Sequence, residues 1–339
     1  LQALSAAAEV ILDELARPFP SDGQELFVSA SVGLSLYPDD AGSVDELIKH
    51  ADAAMSSAKH LGRNNFQFYT AGMNQEVQDR MLIEAGLRTA IQRNELSLVY
   101  QPKIDLATRR IFGAEALLRW KHPKLGMIPP SRFVPVAEEA GLVGQIGEWV
   151  LYTACRQIRE WQDAGHSLQV AVNVSARQFQ EYDVAELVMD IMRDTGALAK
   201  NLEIELTESA VMNDAESSIV SLERLAALGV QIAIDDFGTG YSSLSYLKRL
   251  PLDLLKIDQS FVRDISSDPN DAAIVRAIIT LARSLGIKVI AEGVENEAQL
   301  AFLNAYGCQY AQGYLFGRPL TAPQLVKLVT TGELEENAA

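Results

Sequence analysis

The stretch at residues 202–236, LEIELTESAVMNDAESSIVSLERLAALGVQIAIDD, contains two short apolar runs separated by a helical pattern. The first run, LEIE, ends at Glu205, and the second, IAID, ends at Asp235. Apolar runs that are bounded by polar turns and alternate with helices are typical of parallel strands buried on both faces. We therefore predict a strand, a helix over residues 215–228 and a second, parallel strand.

Six further apolar runs of this kind occur along the chain, and each carries a polar residue at or near its end. These residues are Gln101, Glu115 together with Arg119, Asn173, Lys256, Glu292 and Gln312. Eight strands alternating with helices predict an α/β fold with a closed barrel, in which each strand delivers its carboxyl-terminal residue to one rim. Polar groups from distant segments should therefore meet there.

The first two runs, at 96–104 and 111–120, are separated only by residues 105–110. Because a connection this short makes a hairpin, we predict that one early strand runs antiparallel to the others.

Composition limits the possible functions. The 339 residues, 48% of them hydrophobic, suffice for one large domain and a smaller one. The net charge of −16 disfavours binding to a nucleic acid polymer or an anionic membrane, since both repel an acidic protein. A phosphate ligand must therefore be held by metal ions or local cations. We also expect a cytoplasmic chain without membrane contact, because Cys155 and Cys308 fit reduced core thiols and no apolar run reaches membrane-spanning length.

Three segments flank the barrel, which we expect at 95–331. Residues 1–71 form a small α/β block with predicted helices at 3–16 and 43–61 and strands at 26–36 and 66–69. Helical spacing of apolar residues predicts a connector helix within 72–94, and residues 332–339 are expected to be a frayed tail.

Carboxylates that meet at one rim need cations. Two like charges about 4 Å apart cost roughly 4 kcal/mol at an effective dielectric near 20, so Glu115, Glu205, Asp235 and Asp236 cannot gather without them. Asn173 adds a carbonyl oxygen, and no His or Cys pair has metal-ligand spacing. This oxygen-rich set favours two Mg²⁺ or Mn²⁺ ions, an arrangement that can hold an attacking water and a leaving oxygen across a phosphodiester. Ca²⁺, which prefers longer bonds, is expected to bind and to inhibit.

Several of these residues have alternative interpretations. Asp235 and Asp236 precede a glycine, as turn or helix-cap residues do, but their coincidence with other polar strand ends favours a metal site. Lys256 could form a rim salt bridge or activate the nucleophilic water. Glu292 could support the second metal or cap the following turn.

The substrate-contact candidates carry weaker signals. Arg119 could grip a phosphate or form a surface ion pair. Gln101 and Gln312 could bind a base or a phosphate, although glutamines at strand ends are common.

Nine sequence blocks between residues 79 and 331, in this order, resemble the EAL family of cyclic diguanylate phosphodiesterases. They are Y-Q-P at 100–102, E-A-L-L-R-W at 115–120, F-V-P-V-A-E-E at 133–139, N-V-S at 173–175, E-L-T-E-S at 205–209, D-D-F-G-T-G-Y-S-S-L at 235–244, K-I-D at 256–258, E-G-V-E at 292–295 and Q-G-Y at 312–314. The resemblance implies a modified TIM (β/α)8 barrel that hydrolyses one phosphodiester bond of cyclic di-GMP, a bacterial second messenger, to linear pGpG.

The resemblance also implies a role for each matching residue, and none of these positions departs from the family pattern. A first metal would be bound by Glu115, Asn173, Glu205 and Asp235, and a second by Asp235, Asp236 and Glu292. Lys256 would activate the water, substrate would contact Gln101, Arg119 and Gln312, and Glu208 would hold the loop after Asp236. Because the family couples this loop to a dimer interface, a homodimer through the barrel is expected.

The first block resembles the C-terminal part of a GGDEF domain, through V-S-A-S-V-G-L-S-L-Y-P at 28–38, A-D-A-A-M-S-S-A-K at 51–59 and G-R-N at 62–64. The G-G-D-E-F signature does not occur in the sequence. We therefore expect that this block makes no cyclic di-GMP by itself. The chain would be the C-terminal piece of a tandem protein, whose upstream sensory region could be membrane-anchored.

Two other functions stay open from the sequence. The chain could be a receptor that binds cyclic di-GMP without turnover and signals through the connector helix and the dimer interface. It could also be another metal-dependent barrel enzyme, such as a lyase that uses Lys256 as a base.

Overall fold

The computed structural model of the protein describes residues 2–21, 24–239 and 244–331. The chain divides into two compact units, Leu1–Gly86 and Leu87–Ala339. Among the described residues, no helix combines the length and apolar composition that a membrane span requires. The predicted tail at 332–339 and residues 240–243 of the glycine-bearing loop lie outside the described residues.

The first unit contains two small sheets and flanking helices. Its elements are α1 (Gln2–Leu15), β1 (Phe19–Ser21), β2 (Gln24–Leu26), β3 (Val32–Leu34), α2 (Val44–His60), β4 (Phe66–Phe68) and the first part of α3 (Ala71–Ala90). Strand β1 pairs antiparallel with β2, and β3 pairs parallel with β4. Ser43 caps α2 by accepting a hydrogen bond from the backbone N–H of Glu46.

The single strand predicted at 26–36 is wrong. β2 ends at the first residue of this stretch, Leu26, and only the short strand β3 lies within it. The reason is that they have different partners, β1 and β4, so the chain must leave one sheet before it enters the other. Gly33 brings β3 close to α2, since a Cβ there would lie 1.9 Å from the carbonyl oxygen of Ala51.

The second unit alternates strands and helices. Its strands are β5 (Leu96–Asp105), β6 (Arg110–His122), β7 (Gly126–Ile128), β8 (Gln169–Asn173), β9 (Leu202–Thr207), β10 (Gln231–Phe237), β11 (Leu254–Ile257), β12 (Lys288–Ala291) and β13 (Tyr310–Gln312). Its helices are α4 (Pro130–Glu139), α5 (Val143–Asp163), α6 (Ala176–Glu181), α7 (Val184–Thr195), α8 (Glu208–Met212), α9 (Ala215–Leu228), α10 (Leu244–Leu247), α11 (Gln259–Arg263), α12 (Pro269–Leu285), α13 (Glu297–Tyr306) and α14 (Ala322–Thr331). The predicted strand, helix and parallel strand of residues 202–236 correspond to β9, α9 and β10.

Eight of the described strands close into a barrel in the order β5, β13, β12, β11, β10, β9, β8 and β6, and β5 pairs with β6 to complete it. Strand β5 is antiparallel to both its neighbours, whereas the other six pairings in the barrel are parallel. This confirms the predicted barrel with one antiparallel early strand. Strand β9 is buried over most of its length, as expected for a strand covered on both faces.

The prediction that every polar residue ends its strand is only partly correct. Asn173 and Gln312 end their strands, and Glu292 follows β12 directly. Gln101 and Glu115 instead lie opposite each other in the middle of the long β5–β6 hairpin. For Gln101 the reason is that β5 runs antiparallel, so its carboxyl end at Asp105 lies away from the rim formed by the other strands. Glu115 is in mid-strand because β6 continues beyond its pairing with β8 to pair with β7.

Candidate active site

A buried group of charged side chains surrounds Lys256 on β11. Its Nζ lies 2.7 Å from Glu205 Oε2 and 2.7 Å from Glu292 Oε1. The same nitrogen is 3.1 Å from Asp235 Oδ1 and 3.8 Å from Glu115 Oε2. The barrel thus brings four acids, from β6, β9, β10 and the residue after β12, to one ammonium group that is only 1% exposed.

Two side-chain amides hold Glu115. Asn173 Nδ2 donates a hydrogen bond of 2.6 Å to Glu115 Oε1, and Gln312 Nε2 donates one of 2.6 Å to Glu115 Oε2. Gln312 Nε2 also lies 3.1 Å from Gln101 Oε1. Because β5 is antiparallel, Gln101 reaches this group from mid-strand.

The backbone turns at Asp236, at the end of β10. Asp236 has a φ of +54°, a left-handed conformation that Asp tolerates better than most residues. Its N–H donates to Asp235 Oδ1 at 2.9 Å. The turn keeps both carboxylates on one side, and Asp235, Asp236 and Glu292 present oxygens that all lie within 4.8 Å of one another. This spacing suits a shared cation.

Glu208 and Arg119 lie beside the cluster. Glu208 is buried in the first turn of α8, and its Oε2 accepts a hydrogen bond of 3.2 Å from the N–H of Gly238, in the loop after Asp236. Arg119 is half-buried and donates to the Leu118 carbonyl oxygen at 2.9 Å. Burial lowers the pKa of Arg119, whereas its neighbours Tyr314 and Glu115 raise it.

Two charged residues of the barrel interior, Lys103 and Glu203, were missed by the sequence analysis. Lys103 Nζ lies 2.6 Å from Glu203 Oε1 and 2.6 Å from Glu205 Oε1, and both partners of the first pair are at most 1% exposed. A signal for them exists in the alternation of side chains along a strand. Lys103 is two residues from Gln101 and Glu203 two from Glu205, so each shares a face with a predicted site residue.

The pKa values show that the carboxylates of the cluster are neutralised unequally. The pKa of Glu292 is raised to about 8, mainly by burial and also by the charges of Asp235, Glu115 and Glu205, against the opposing effect of Lys256. Burial and Asp235 raise the pKa of Asp236 to about 6. Burial alone would raise the pKa of Glu205, but Lys103 and Lys256 bring it down to about 2.

The donor set fits divalent cations. Six carboxylates of this region share two lysines, which leaves a formal excess of four negative charges. All the candidate ligands are oxygens, the donors that Mg²⁺ and Mn²⁺ prefer. In addition, Gln312 Oε1 is a buried acceptor that has no hydrogen-bond partner among the described residues. A cation or a ligand N–H would satisfy it.

A cavity of about 240 Å³ opens onto the cluster. Its lining includes the charged groups of Glu115, Asp235, Lys256 and Glu292 and the aromatic ring of Tyr314. Tyr314 is 53% exposed, and the Arg318 guanidinium lies 4.5 Å from the centre of its ring. The lining therefore combines charged groups with an aromatic ring, which suits a ligand that carries both phosphate and a ring.

Two protein families match the chain. The EAL domain model matches residues 84–319, and the diguanylate cyclase, GGDEF domain, model matches residues 1–65. These matches confirm the resemblance inferred from the sequence motifs. The boundaries predicted at 71, 94 and 331 stay predictions.

Curated relatives and solved structures are similar to the chain. The bifunctional diguanylate cyclase/cyclic di-GMP phosphodiesterase MucR of Pseudomonas aeruginosa is 47% identical over 323 residues, which cover 95% of this chain and 47% of that protein. The cyclic di-GMP phosphodiesterase PdeR of Escherichia coli is 41% identical over 320 residues, covering 94% of this chain and 48% of that protein. The chain therefore spans about half the length of these relatives. A solved structure of the PaMucR phosphodiesterase in complex with c-di-GMP is 51% identical, with a TM-score of 0.70, and covers 72% of this chain and 99% of that one.

Proposed function

Since the chain belongs to the EAL domain family, we propose that it hydrolyses one phosphodiester bond of cyclic di-GMP to give linear pGpG. The observation that carries this proposal is the cluster of four acids around Lys256. The side-chain amides of Asn173 and Gln312 donate hydrogen bonds to Glu115, one of these acids. The similarity to a phosphodiesterase solved with c-di-GMP supports this choice of substrate.

Two divalent cations, Mg²⁺ or Mn²⁺, are part of the proposal. Glu115, Asn173, Glu205 and Asp235 would hold the first, and Asp235, Asp236 and Glu292 the second. When bound, such ions neutralise the phosphoryl oxygens and make water a better nucleophile at neutral pH. The excess negative charge and the raised pKa values of Asp236 and Glu292 support this assignment, because cations would relieve the same repulsion that protonation otherwise relieves.

The protein's own groups position the reactants. Lys256 would activate the attacking water and hold it in line with the phosphorus. Its Nζ lies 2.7 Å from Glu205 and 2.7 Å from Glu292, among the proposed metal ligands, and this position supports the role. Water adds to the phosphorus, the bond to the 3′ oxygen breaks, and that oxygen takes up a proton. Gln101 and Gln312 line the cavity and can hydrogen-bond a phosphate or a base there, and the half-buried Arg119 can pair with a phosphate.

Glu208 has a supporting role in this proposal. By accepting from the Gly238 N–H, it holds the loop that begins at Asp236 and so keeps the Asp236 carboxylate directed at the site. The family's coupling of this loop to a dimer interface makes a homodimer through the barrel part of the proposal. A cytoplasmic location is a further part, and the two buried, unpaired thiols of Cys155 and Cys308 support it.

Cyclic di-GMP hydrolysis measured by product mass tests this function. The parent chain with Mg²⁺ or Mn²⁺ should convert the cyclic dinucleotide to a product heavier by one water, and a chelator should stop the reaction. The variant Lys200→Met, which removes an exposed lysine, is a matched control and should retain activity. Metal-loaded protein that binds the dinucleotide but never cleaves it would refute hydrolysis and favour the receptor alternative. Turnover of sugar phosphates without hydrolysis of cyclic di-GMP would favour the lyase alternative.

A further inference from the structure

A second lysine, Lys103 on β5, lies beneath the proposed metal site. Its Nζ contacts Glu203 Oε1 and Glu205 Oε1, both at 2.6 Å, and its side chain is completely buried. The inference drawn from this lysine rests on the proposed function, because Glu205 is a proposed ligand of the first metal.

The two oxygens of Glu205 are held by different lysines. Lys103 binds Oε1, whereas Lys256 binds Oε2 at 2.7 Å. Lys256 divides its contacts among four acids. The ion pairs of Lys103 in the described part of the chain involve only Glu203 and Glu205. Lys103 therefore contacts the oxygen of Glu205 that Lys256 does not contact, and it shares this contact with fewer acids.

Glu203 explains how a second cation is tolerated so close to a metal site. A lone ammonium in contact with Glu205 would compete with a divalent cation for the charge of that carboxylate. Glu203, on the same face of β9, neutralises Lys103, so the pair adds no net charge. Packing alone does not account for the pair, because apolar side chains of similar volume would fill a barrel interior at comparable stability.

We propose that Lys103, neutralised by Glu203, is a positioning residue that orients the Glu205 carboxylate for a divalent cation. It acts through Glu205 and does not touch the substrate. Groups that hydrogen-bond a metal ligand in this way typically change metal affinity by about 10- to 100-fold when they are removed.

The test is Mn²⁺ affinity of the full chain without substrate, measured by titration with electron paramagnetic resonance detection of free Mn²⁺. The double variant Lys103→Met/Glu203→Leu leaves the net charge unchanged and removes both polar groups. We expect it to bind Mn²⁺ at least about tenfold more weakly at one site. Affinity within twofold of the parent would overturn the proposal.

Two further variants separate positioning from folding. Glu203→Gln keeps the shape of the side chain and an acceptor for Lys103 but removes the neutralising charge, so Mn²⁺ affinity should again fall. An unchanged Mn²⁺ affinity would overturn the proposal even if the double variant fails to fold. Leu222→Ala, in the buried face of α9, should destabilise the barrel without changing Mn²⁺ affinity. If Leu222→Ala weakens Mn²⁺ binding as much as the double variant, lost stability explains both effects and positioning is refuted.

Failure of the proposed function gives a different result. If the parent protein binds no Mn²⁺, the metal site itself is refuted. If the parent binds Mn²⁺ and hydrolyses cyclic di-GMP, but Lys103→Met/Glu203→Leu and Glu203→Gln bind Mn²⁺ as tightly as the parent, only the role of Lys103 is refuted.

Discussion

Replacing Lys256 by methionine should destabilise the barrel in the absence of metal and strengthen metal binding. Met has a similar length but no charge, so the variant leaves Glu205, Glu292, Asp235 and Glu115 without their common ammonium group. The same change removes a positive charge from the place that the proposed cations would occupy.

The size of the effect follows from the two shortest contacts. An attraction across 2.7 Å is worth about 6 kcal/mol at an effective dielectric near 20. Desolvation of the ammonium group offsets much of it, and breaking a buried ion pair typically costs about 3–5 kcal/mol. We expect a loss of that size in the free energy of unfolding in chelator. A free Mn²⁺ concentration of about 100 times the Kd should raise the free energy of unfolding by about 2.7 kcal/mol.

Urea unfolding followed by tryptophan fluorescence measures this loss. Trp120, Trp149 and Trp161 are the tryptophans of the sequence, and all three lie in the second unit, so the signal reports on the barrel alone. Lys200→Met should unfold like the parent. The reasoning is refuted if Lys256→Met is as stable as the parent in chelator, or if it binds Mn²⁺ more weakly than the parent does.

Three other outcomes follow from the site. Asp236→Asn should fold normally, because Asn also tolerates the φ of +54°. Its rate of cyclic di-GMP hydrolysis should fall at least about tenfold, because one proposed metal ligand is weakened. A rate equal to that of the parent would exclude Asp236 as a ligand. Glu208→Ala should lower kcat more than Glu208→Gln does, since only the amide oxygen of Gln can still accept from Gly238, and equal kcat values would argue against the loop contact. Ca²⁺ should displace Mn²⁺ in a competition titration yet support little hydrolysis, because its preferred bonds of about 2.3–2.6 Å exceed those of Mg²⁺; equal initial rates with both ions would contradict this.

The architecture was largely predictable because it depends on features local to the sequence. The short connection between β5 and β6 allows only a hairpin, which sets the direction of β5. The helical stretch between the apolar runs around Glu205 and Asp235 forms α8 and α9, and this crossover makes β9 and β10 parallel neighbours. These signals need no knowledge of distant contacts.

Features that depend on partners across the barrel were less predictable. Gln101 was expected at a strand end, but β5 continues to Asp105 because it pairs with β6 over its whole length. Lys103 and Glu203 escaped attention because a charged residue in a strand usually faces solvent. Only the closed barrel shows that they face each other, 2.6 Å apart, in its interior.

Anomalous diffraction from crystals grown with Mn²⁺ and cyclic di-GMP would test the central claim most directly, because it locates the ions themselves. The account predicts two anomalous peaks, one at bonding distance from Glu115, Asn173, Glu205 and Asp235 and the other from Asp235, Asp236 and Glu292. Crystals grown with Mn²⁺ in which cyclic di-GMP is bound, but which show no anomalous peak between these side chains, would contradict the account.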